Sequence, residues 1–434
     1  MPARSDPPDS TDADGSTSTI WLVCVGIGLL FLAHGAFQPY IFPLFEHLGG
    51  LSYGQIATIL NGYVLAQSVC APIAGWFTDR TSPRTALAIA ILFGLCGFLI
   101  VSVAPGFVLS VAAVFLAGLA FVLGKIALNT ILVVHSSADM LRRSVAKRAT
   151  LLNLGSFCGN SIAQLASRIG YPAHAVLLGL LHLPLLIGLA ARNAPSKTPP
   201  KPKGRGLEGA SALCRNRGFL ADSLRRLAVV LPYGCWGTII PKYVIDQYGS
   251  ADPVWMIYLV SLCTTVAGAH FLAIYVSGRL YRAGFRWEWW SSISVFLYCA
   301  GMLILVFAAN PILLALAIVV FIAGEVVMTP CFDETAKRHS GDAAMGTCMG
   351  LLHLVDGFGR MAGAAFALAI YGLMRNSAYR AYYWPLVVVV FVVAALVLHL
   401  IAGIVGRGHA APCAVFVPTA AAPGGASASR ALID

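Results

Sequence analysis

The feature that most constrains this chain is the spacing of its apolar residues, which come in nearly charge-free blocks of about twenty, broken by short polar punctuation. A chain of 434 residues would make about three soluble domains at roughly 150 residues each, but such domains do not have this pattern. Composition agrees: 58% of the residues are hydrophobic and 11% charged, against about 25% charged in an average soluble domain. The class indicated is a polytopic helical membrane protein.

The eleven cysteines, among them Cys24, Cys70, Cys96, Cys158, Cys235 and Cys299, are scattered singly with no C-x-x-C pair. They read as small apolar fillers, not as a disulfide framework or a zinc site. The formal charge of +11 would suit nucleic acid, or equally a basic excess on cytoplasmic loops. Its distribution decides between them.

Residues 1 to 19 are polar and acidic, with Pro7 and Pro8 and no basic n-region of a cleaved leader; they are expected to form a disordered cytoplasmic tail. Windows of about 20 apolar residues place spans near 20–45, 54–77, 85–104, 107–134, 147–169 and 172–191. Six more follow near 226–246, 254–279, 288–308, 311–332, 344–373 and 381–404. The expected fold is an all-α integral membrane protein of twelve transmembrane helices in two pseudo-symmetric six-helix bundles, 20–192 and 226–404, with both termini on one side.

With the termini inside, 23 of the 29 Lys and Arg residues fall in the tails or even-to-odd loops, including Arg80, Arg84, Arg142, Arg143, Lys147, Arg148, Arg279, Arg282, Lys337 and Arg338. Only Arg168, Arg375 and Arg380 fall outside, while Lys125, Lys242 and Arg360 stay within or at the edge of spans. The basic excess is therefore read as topology, which speaks against a nucleic-acid partner. The expected setting is the inner or plasma membrane, with the lipid bilayer as partner and the chain acting as a monomer.

The stretch 193–225 is expected to be a cytoplasmic linker without stable helix. From Arg192 to Arg226 it has nine basic residues together with Pro195, Pro199, Pro200 and Pro202, too polar for a span and rich in helix breakers. Docking on anionic lipid is a secondary role. The tail 405–434, rich in Ala, Pro, Gly and Ser, is expected to be disordered.

Sliding the chain against itself gives a match at an offset of 200. Gly124-Lys125-Ile126-Ala127-Leu128-Asn129-Thr130 lies against Gly324-Glu325-Val326-Val327-Met328-Thr329-Pro330, and Leu151-Leu152-Asn153-Leu154 against Leu351-Leu352-His353-Leu354. Gly35, Pro39 and Pro43 of the first span face Gly234, Gly237 and Pro241 of the seventh. These residues should bend their helices, which is tolerated where a helix lines a cavity.

Parallel six-helix repeats joined by a long linker resemble the major facilitator superfamily. The resemblance covers about residues 20 to 404 and rests also on the loop after the second span. The family signature there is approximately G-x-L-a-D-R-x-G-R-[KR]; this chain has Gly75-Trp76-Phe77-Thr78-Asp79-Arg80-Thr81-Ser82-Pro83-Arg84. Gly75, Asp79, Arg80 and Arg84 match, while Ser82 and Pro83 alter the tight turn. The second-half counterpart, Gly278-Arg279-Leu280-Tyr281-Arg282, has lost the acid. The resemblance implies a conformational latch in which Asp79 faces the start of the eleventh span in the outward-open state; otherwise these are topogenic loop charges.

An ionisable side chain near the middle of a span costs about 2.5–3.5 kcal/mol on the insertion scale. Lys125, Glu325, His353, Asp356 and Arg360 each need a reason. At 1.5 Å per residue, Glu325 lies roughly 12 Å and Asp356 roughly 18 Å from the cytoplasmic ends of their helices. Lys125 and Glu325 hold equivalent repeat positions, and the resemblance, which puts spans 1, 4, 7 and 10 around a central cavity, implies that they face each other across it. Two readings stay open. Either these are neutralised pairs, Asp356 with Arg360 and Glu325 with Lys125 or Arg360, that hold helices together. Or protonation of Glu325 or Asp356 breaks a pair and shifts the halves between inward and outward states, freeing Lys125 or Arg360 for an anionic group.

His34, Gln38 and Trp236 are further cavity candidates, with Asn61, Gln67, Tyr243 and His270 behind them, though single polar residues in membrane helices often bond a neighbouring helix. In the fifth span, drug and proton antiporters of the superfamily often have G-x-x-x-G-P-x-x-G-G; here Gly155 and Gly159 match and the rest does not. Gly124-Lys125 lacks the earlier glycine and the following Ser or Thr of a phosphate-binding loop, and neither a hydrolase nor a metal motif is present. No enzyme chemistry, cofactor or metal is expected. The function expected is secondary active transport of a small organic solute by alternating access, as proton-coupled export of a drug-like or siderophore-like substrate. The rivals are a proton-coupled uptake symporter and a non-transporting membrane sensor or enzyme.

Overall fold

The fold is that of a computed structural model describing residues 10–37, 44–45, 51, 53–103, 106–136, 138–163, 169–184, 207–237, 239–249, 252–271, 287–340, 345–374 and 377–407. The described residues are helical and contain no strand. Eight of the helices are long and apolar enough to cross a membrane, and large apolar side chains such as Leu99, Phe296, Leu396 and Leu400 stand on the outer surface. That is the arrangement of helices that satisfy their own backbone and face lipid.

The first half comprises α1 (Ser10–Phe37), α2 (Tyr53–Val69), α3 (Ala71–Arg80), α4 (Pro83–Ser102), α5 (Phe107–His135), α6 (Ala138–Ala163) and α7 (Tyr171–Leu180). After α8 (Leu207–Arg215) the second half comprises α9 (Arg217–Tyr233), α10 (Ile239–Tyr248), α11 (Asp252–Phe271), α12 (Trp287–Ile304), α13 (Pro311–Ser340), α14 (Met345–Met374) and α15 (Tyr383–Gly406).

Local sequence explains the breaks. The second span is split at Cys70, where Pro72 opens α3 and has no N–H to continue the ladder of α2. The seventh span, expected to bend, is interrupted outright: Pro232 lies inside the end of α9, and a turn through Gly234–Gly237 separates it from α10. Its first-span partners Pro39 and Pro43, the loop counterpart Gly278–Arg282 and residues 1–9 and 408–434 lie outside the described residues.

Two expectations are corrected. The tail expected to be disordered over residues 1–19 is helical from Ser10, because the helix of the first span continues past its apolar block. The stretch read as a linker without stable helix is helical from Leu207, and the seventh span begins at Arg217 instead of near 226. The prolines all precede Lys203, none follows until Pro232, and Asn216 caps α9 by accepting from the N–H of Gly218 and Phe219 at 2.9 and 3.2 Å. Likewise α6 starts at Ala138 and α13 runs to Ser340, so several helices outlast their apolar stretch with polar turns that a hydropathy window leaves out.

The internal repeat is visible in the packing. Helix α1 lies along α6 as α9 lies along α14, and α4 pairs with α5 as α12 pairs with α13. The two halves meet through α3 against α14 and α6 against α11, a pair of contacts that a two-fold exchange of halves interconverts. Glycines make the close approaches. A Cβ on Gly35 would meet the carbonyl of Ser156, and one on its repeat partner Gly234 would meet that of Arg360.

Apolar packing joins the halves at one end only among the described residues. One buried cluster runs from Ala74, Leu87 and Leu132 of the first half to Phe332, Met345 and Leu352 of the second. At the other end, Phe37, Tyr63 and Phe98 belong to a cluster of the first half alone, and Tyr243, Tyr383 and Trp384 to one of the second half alone.

Candidate functional site

Two constellations sit between the halves: a seam at the end where the apolar cluster joins them, and a charged cavity above it. The seam is built on glycine. A Cβ on Gly75 of α3 would land on the backbone of Gly346 in α14, and one on Gly350 on the carbonyl of Ala71, so only hydrogen permits this approach. Close contact brings the Asp79 carboxylate onto the open N-terminus of α14, where it accepts from the N–H of Gly346 at 2.8 Å and from both the N–H and the hydroxyl of Thr347 at 2.6 Å. An anion there satisfies orphan donors and faces the positive end of the helix dipole.

The other signature residues serve the same loop. Arg80 is exposed and stacks over the Trp76 ring at 5.1 Å, and Arg84 lies in the first turn of α4. Ser82, in the place of the family's second glycine, caps α4 by accepting from the N–H of Thr85 at 3.0 Å, with Pro83 as the first helical residue. The altered turn is thus a capped helix start.

The cavity, of about 120 Å³, is lined from both halves by Lys125, Arg148, Arg226, Tyr233, Glu325, His353, Asp356 and Arg360 among others. Five of the charged or ionisable residues singled out in the sequence therefore share one space. Their positions follow the repeat: Lys125 and Glu325, Asn129 and Thr329, and Asn153 and His353 are each 200 residues apart, and all six line it.

The pairing differs from the one expected. Asp356 does not pair with Arg360, its neighbour one turn along α14; it takes a bidentate bond from Arg226 of α9 at 2.6 and 2.8 Å. Arg226 reaches Asp356 from the facing helix, which lets both guanidinium donors align with both oxygens, a fit that two side chains on one helix surface do not make. Glu325 pairs with neither Lys125 nor Arg360 among the described residues; it accepts from the Tyr233 hydroxyl at 3.1 Å. Arg360 lies over the ring of that same tyrosine at 4.5 Å. Lys125 forms no ion pair among the described residues and sits 5.7 and 6.0 Å from the Phe31 and Phe121 rings.

A second bidentate pair crosses the halves at the floor of the cavity. Arg148 of α6 donates to Asp333 of α13 at 2.9 and 2.7 Å and to Asn129 at 3.2 Å; Asp333 is 1% exposed. Reading the sequence missed Arg148, Arg226 and Asp333 as site residues by placing them at span ends. The repeat offered a signal for one, since Arg226 falls one residue out of register with Ile27 plus 200 and both line the cavity.

The weaker candidates are not brought into the cavity. The His34 ring bonds the Tyr63 hydroxyl at 2.6 Å and stacks on Phe121 at 4.1 Å. Trp236 stacks on Phe321 at 5.7 Å, Tyr243 packs in an aromatic cluster with Tyr371, Tyr383 and Trp384, and His270 bonds its own helix at Val266. Gln67 has a buried, unbonded Nε2, Gln38 lies outside the described residues, and so does the side chain of Asn61. Gly155 and Gly159 of α6 approach the backbone of α1 at Gly28 and Leu32, a packing role.

Known proteins agree with this architecture. Among solved structures, the fucose:proton symporter FucP of E. coli superposes with a TM-score of 0.66 at 13% identity, covering 88% of this chain and 99% of that one. The human organic anion transporter MFSD10 gives a TM-score of 0.62 at 15% identity, covering 91% and 100%. In sequence, an uncharacterized MFS-type transporter of Bacillus subtilis (strain 168), YfnC, is 28% identical over 105 residues, a match spanning 24% of this chain and only 26% of that protein. The family model described as Major Facilitator Superfamily matches residues 23–364, and with two packed repeats around a charged cavity the chain belongs to the Major Facilitator Superfamily of membrane transporters.

Proposed function

We propose that the chain is a secondary active transporter that exports a small organic solute by alternating access, with Glu325 as the proton-coupling acid. The observation that supports this most is the unequal pairing of the two cavity carboxylates. Asp356 is locked by two charge-assisted bonds from Arg226 within the second half, so it holds α9 to α14 in any arrangement of the halves. Glu325 has a single neutral hydroxyl donor and lies on the wall facing Lys125 of the other half. A carboxylate without a cation partner, in a cavity that alternately hydrates and closes, can take up and release a proton.

The arrangement corresponds to closure at the side of the even-to-odd loops, read as cytoplasmic. There Asp79 on α14, Arg148 on Asp333 and the Gly75–Gly346 contact act as the latch, and opening requires all three to part. Export follows the Gly155-x-x-x-Gly159 likeness of the fifth span. The chain works in the plasma or inner membrane with both termini in the cytoplasm.

Reconstitution tests the reading. Proteoliposomes loaded with a pH-sensitive dye and given a proton gradient should show solute movement against proton movement in the wild type, opposite in sense for an exporter and in the same sense for a symporter. Glu325→Gln should fold and insert, lose gradient-driven transport, and keep solute exchange at zero gradient. Full gradient-driven activity in that variant contradicts the assignment.

A further inference from the structure

The charges around the cavity do not balance, and the imbalance has a direction. Of its four cations, Arg148 and Arg226 are held by Asp333 and Asp356, leaving Lys125 from the first half and Arg360 from the second with no carboxylate within 4 Å among the described residues. Glu325 offsets one of the two at most and is engaged with Tyr233. Polar atoms that remain idle mark the same space: the Nη1 donor of Arg226 and the ring nitrogen Nε2 of His353 are buried without a hydrogen-bond partner, and His353 is only 8% exposed. Buried polar groups left unbonded are uncommon and costly, and these two line the same cavity as the free cations.

From this we infer that the transported solute is a small organic anion, a carboxylate, sulfonate or phosphonate whose acidic group sits between Lys125 and Arg360. The inference rests on the transport reading and names its substrate class. An acidic group there would accept from both halves at once, so its binding favours the closed arrangement over one in which the two cations are apart. The rest of the lining sets the body of the solute. Phe31, Tyr233, Tyr298 and Phe332 contribute rings and Met328 a thioether, which suits an aromatic or short aliphatic group. A volume of about 120 Å³ is near the roughly 150 Å³ of an engineered cavity that holds benzene, so the body is about one ring in size.

The test is a thermal-shift panel on the purified full-length chain. Benzoate, benzenesulfonate and phenylphosphonate are compared with their neutral analogues benzamide and benzenesulfonamide and with benzyltrimethylammonium. At least one anion should raise the melting temperature with concentration while the neutral and cationic compounds do not. Lys125→Gln and Arg360→Gln should each weaken that binding at least tenfold, with Lys125→Arg and Arg360→Lys recovering most of it. If no anion stabilises the wild type, or a neutral analogue does so equally, the inference is overturned, and this comparison stands even where a variant fails to fold. Counterflow of labelled benzenesulfonate in proteoliposomes separates the two layers. Anion binding without counterflow contradicts transport and leaves the anion class; counterflow of a neutral or cationic solute without anion binding contradicts the anion class and leaves transport.

Discussion

The two walls of the cavity come from equivalent repeat positions yet differ in chemistry. The first-half wall presents Ile27, Lys125, Asn129 and Asn153 where the second presents Arg226, Glu325, Thr329 and His353. The scaffold is shared down to its glycines, with Gly35 on the carbonyl of Ser156 and Gly234 on that of Arg360. Duplication has therefore kept the positions that face the cavity and let the side chains diverge. Most of the ionisable groups gathered on one side, where the Arg226–Asp356 pair fixes two helices and leaves Glu325 and Arg360 to respond.

The largest effect expected from breaking this asymmetry comes from the second-half pair. Asp356→Ala leaves the largely buried Arg226 unpaired, which costs up to about 3–5 kcal/mol, and should show as a marked fall in melting temperature. Replacing both partners by apolar residues, Arg226→Ile with Asp356→Leu, makes that wall resemble the Ile27 wall and should restore most of the loss. A double variant no more stable than the single one would show that the pair is not the unit.

Next in size is a change that makes the walls alike. Glu325→Lys sets a second cation opposite Lys125 and should abolish transport while the chain still inserts, as read by proteoliposome flux beside a monodisperse gel-filtration peak. The seam should respond more mildly. Asp333→Asn weakens the crossing bond from Arg148 and should shift the accessibility of a cysteine introduced at the cavity position Asn153 from one side of the membrane to the other by several-fold, measured by labelling with an impermeant maleimide in a background with native cysteines replaced. The smallest effect belongs to the loop turn: Ser82→Ala removes the cap of α4 and should cost about 1 kcal/mol, seen in the melting temperature with transport unchanged.

Much of this was legible in the sequence because bilayer and repeat each leave a periodic trace. Hydropathy marked the apolar helices, eight of which are long and apolar enough to cross a membrane among the described residues, the glycines of the seventh span lie where it is interrupted, and the offset of 200 brought Lys125 and Glu325 to one cavity. Side-chain partners were not legible, since an ion pair between helices depends on rotation about their axes, which no spacing along one chain encodes. Asp356 and Arg360 share a helix face, so they looked paired; the partner from α9 is 130 residues away. Helix ends were misplaced for a related reason. The polar turns of α6, α9 and α13 contain Arg148, Arg226 and Asp333, and a scale built on lipid contact treats such residues as loop when they are buried against the other half.

We propose that the protonation state of Glu325 governs the seam at Asp79 and Gly346. In a background with native cysteines replaced, spin labels at the exposed positions Arg80 and Lys337 would report the distance between halves by pulsed electron resonance. The distance distribution should shift with pH in the wild type and stay in one population at every pH in Glu325→Gln. A pH response in Glu325→Gln equal to that of the wild type would contradict it.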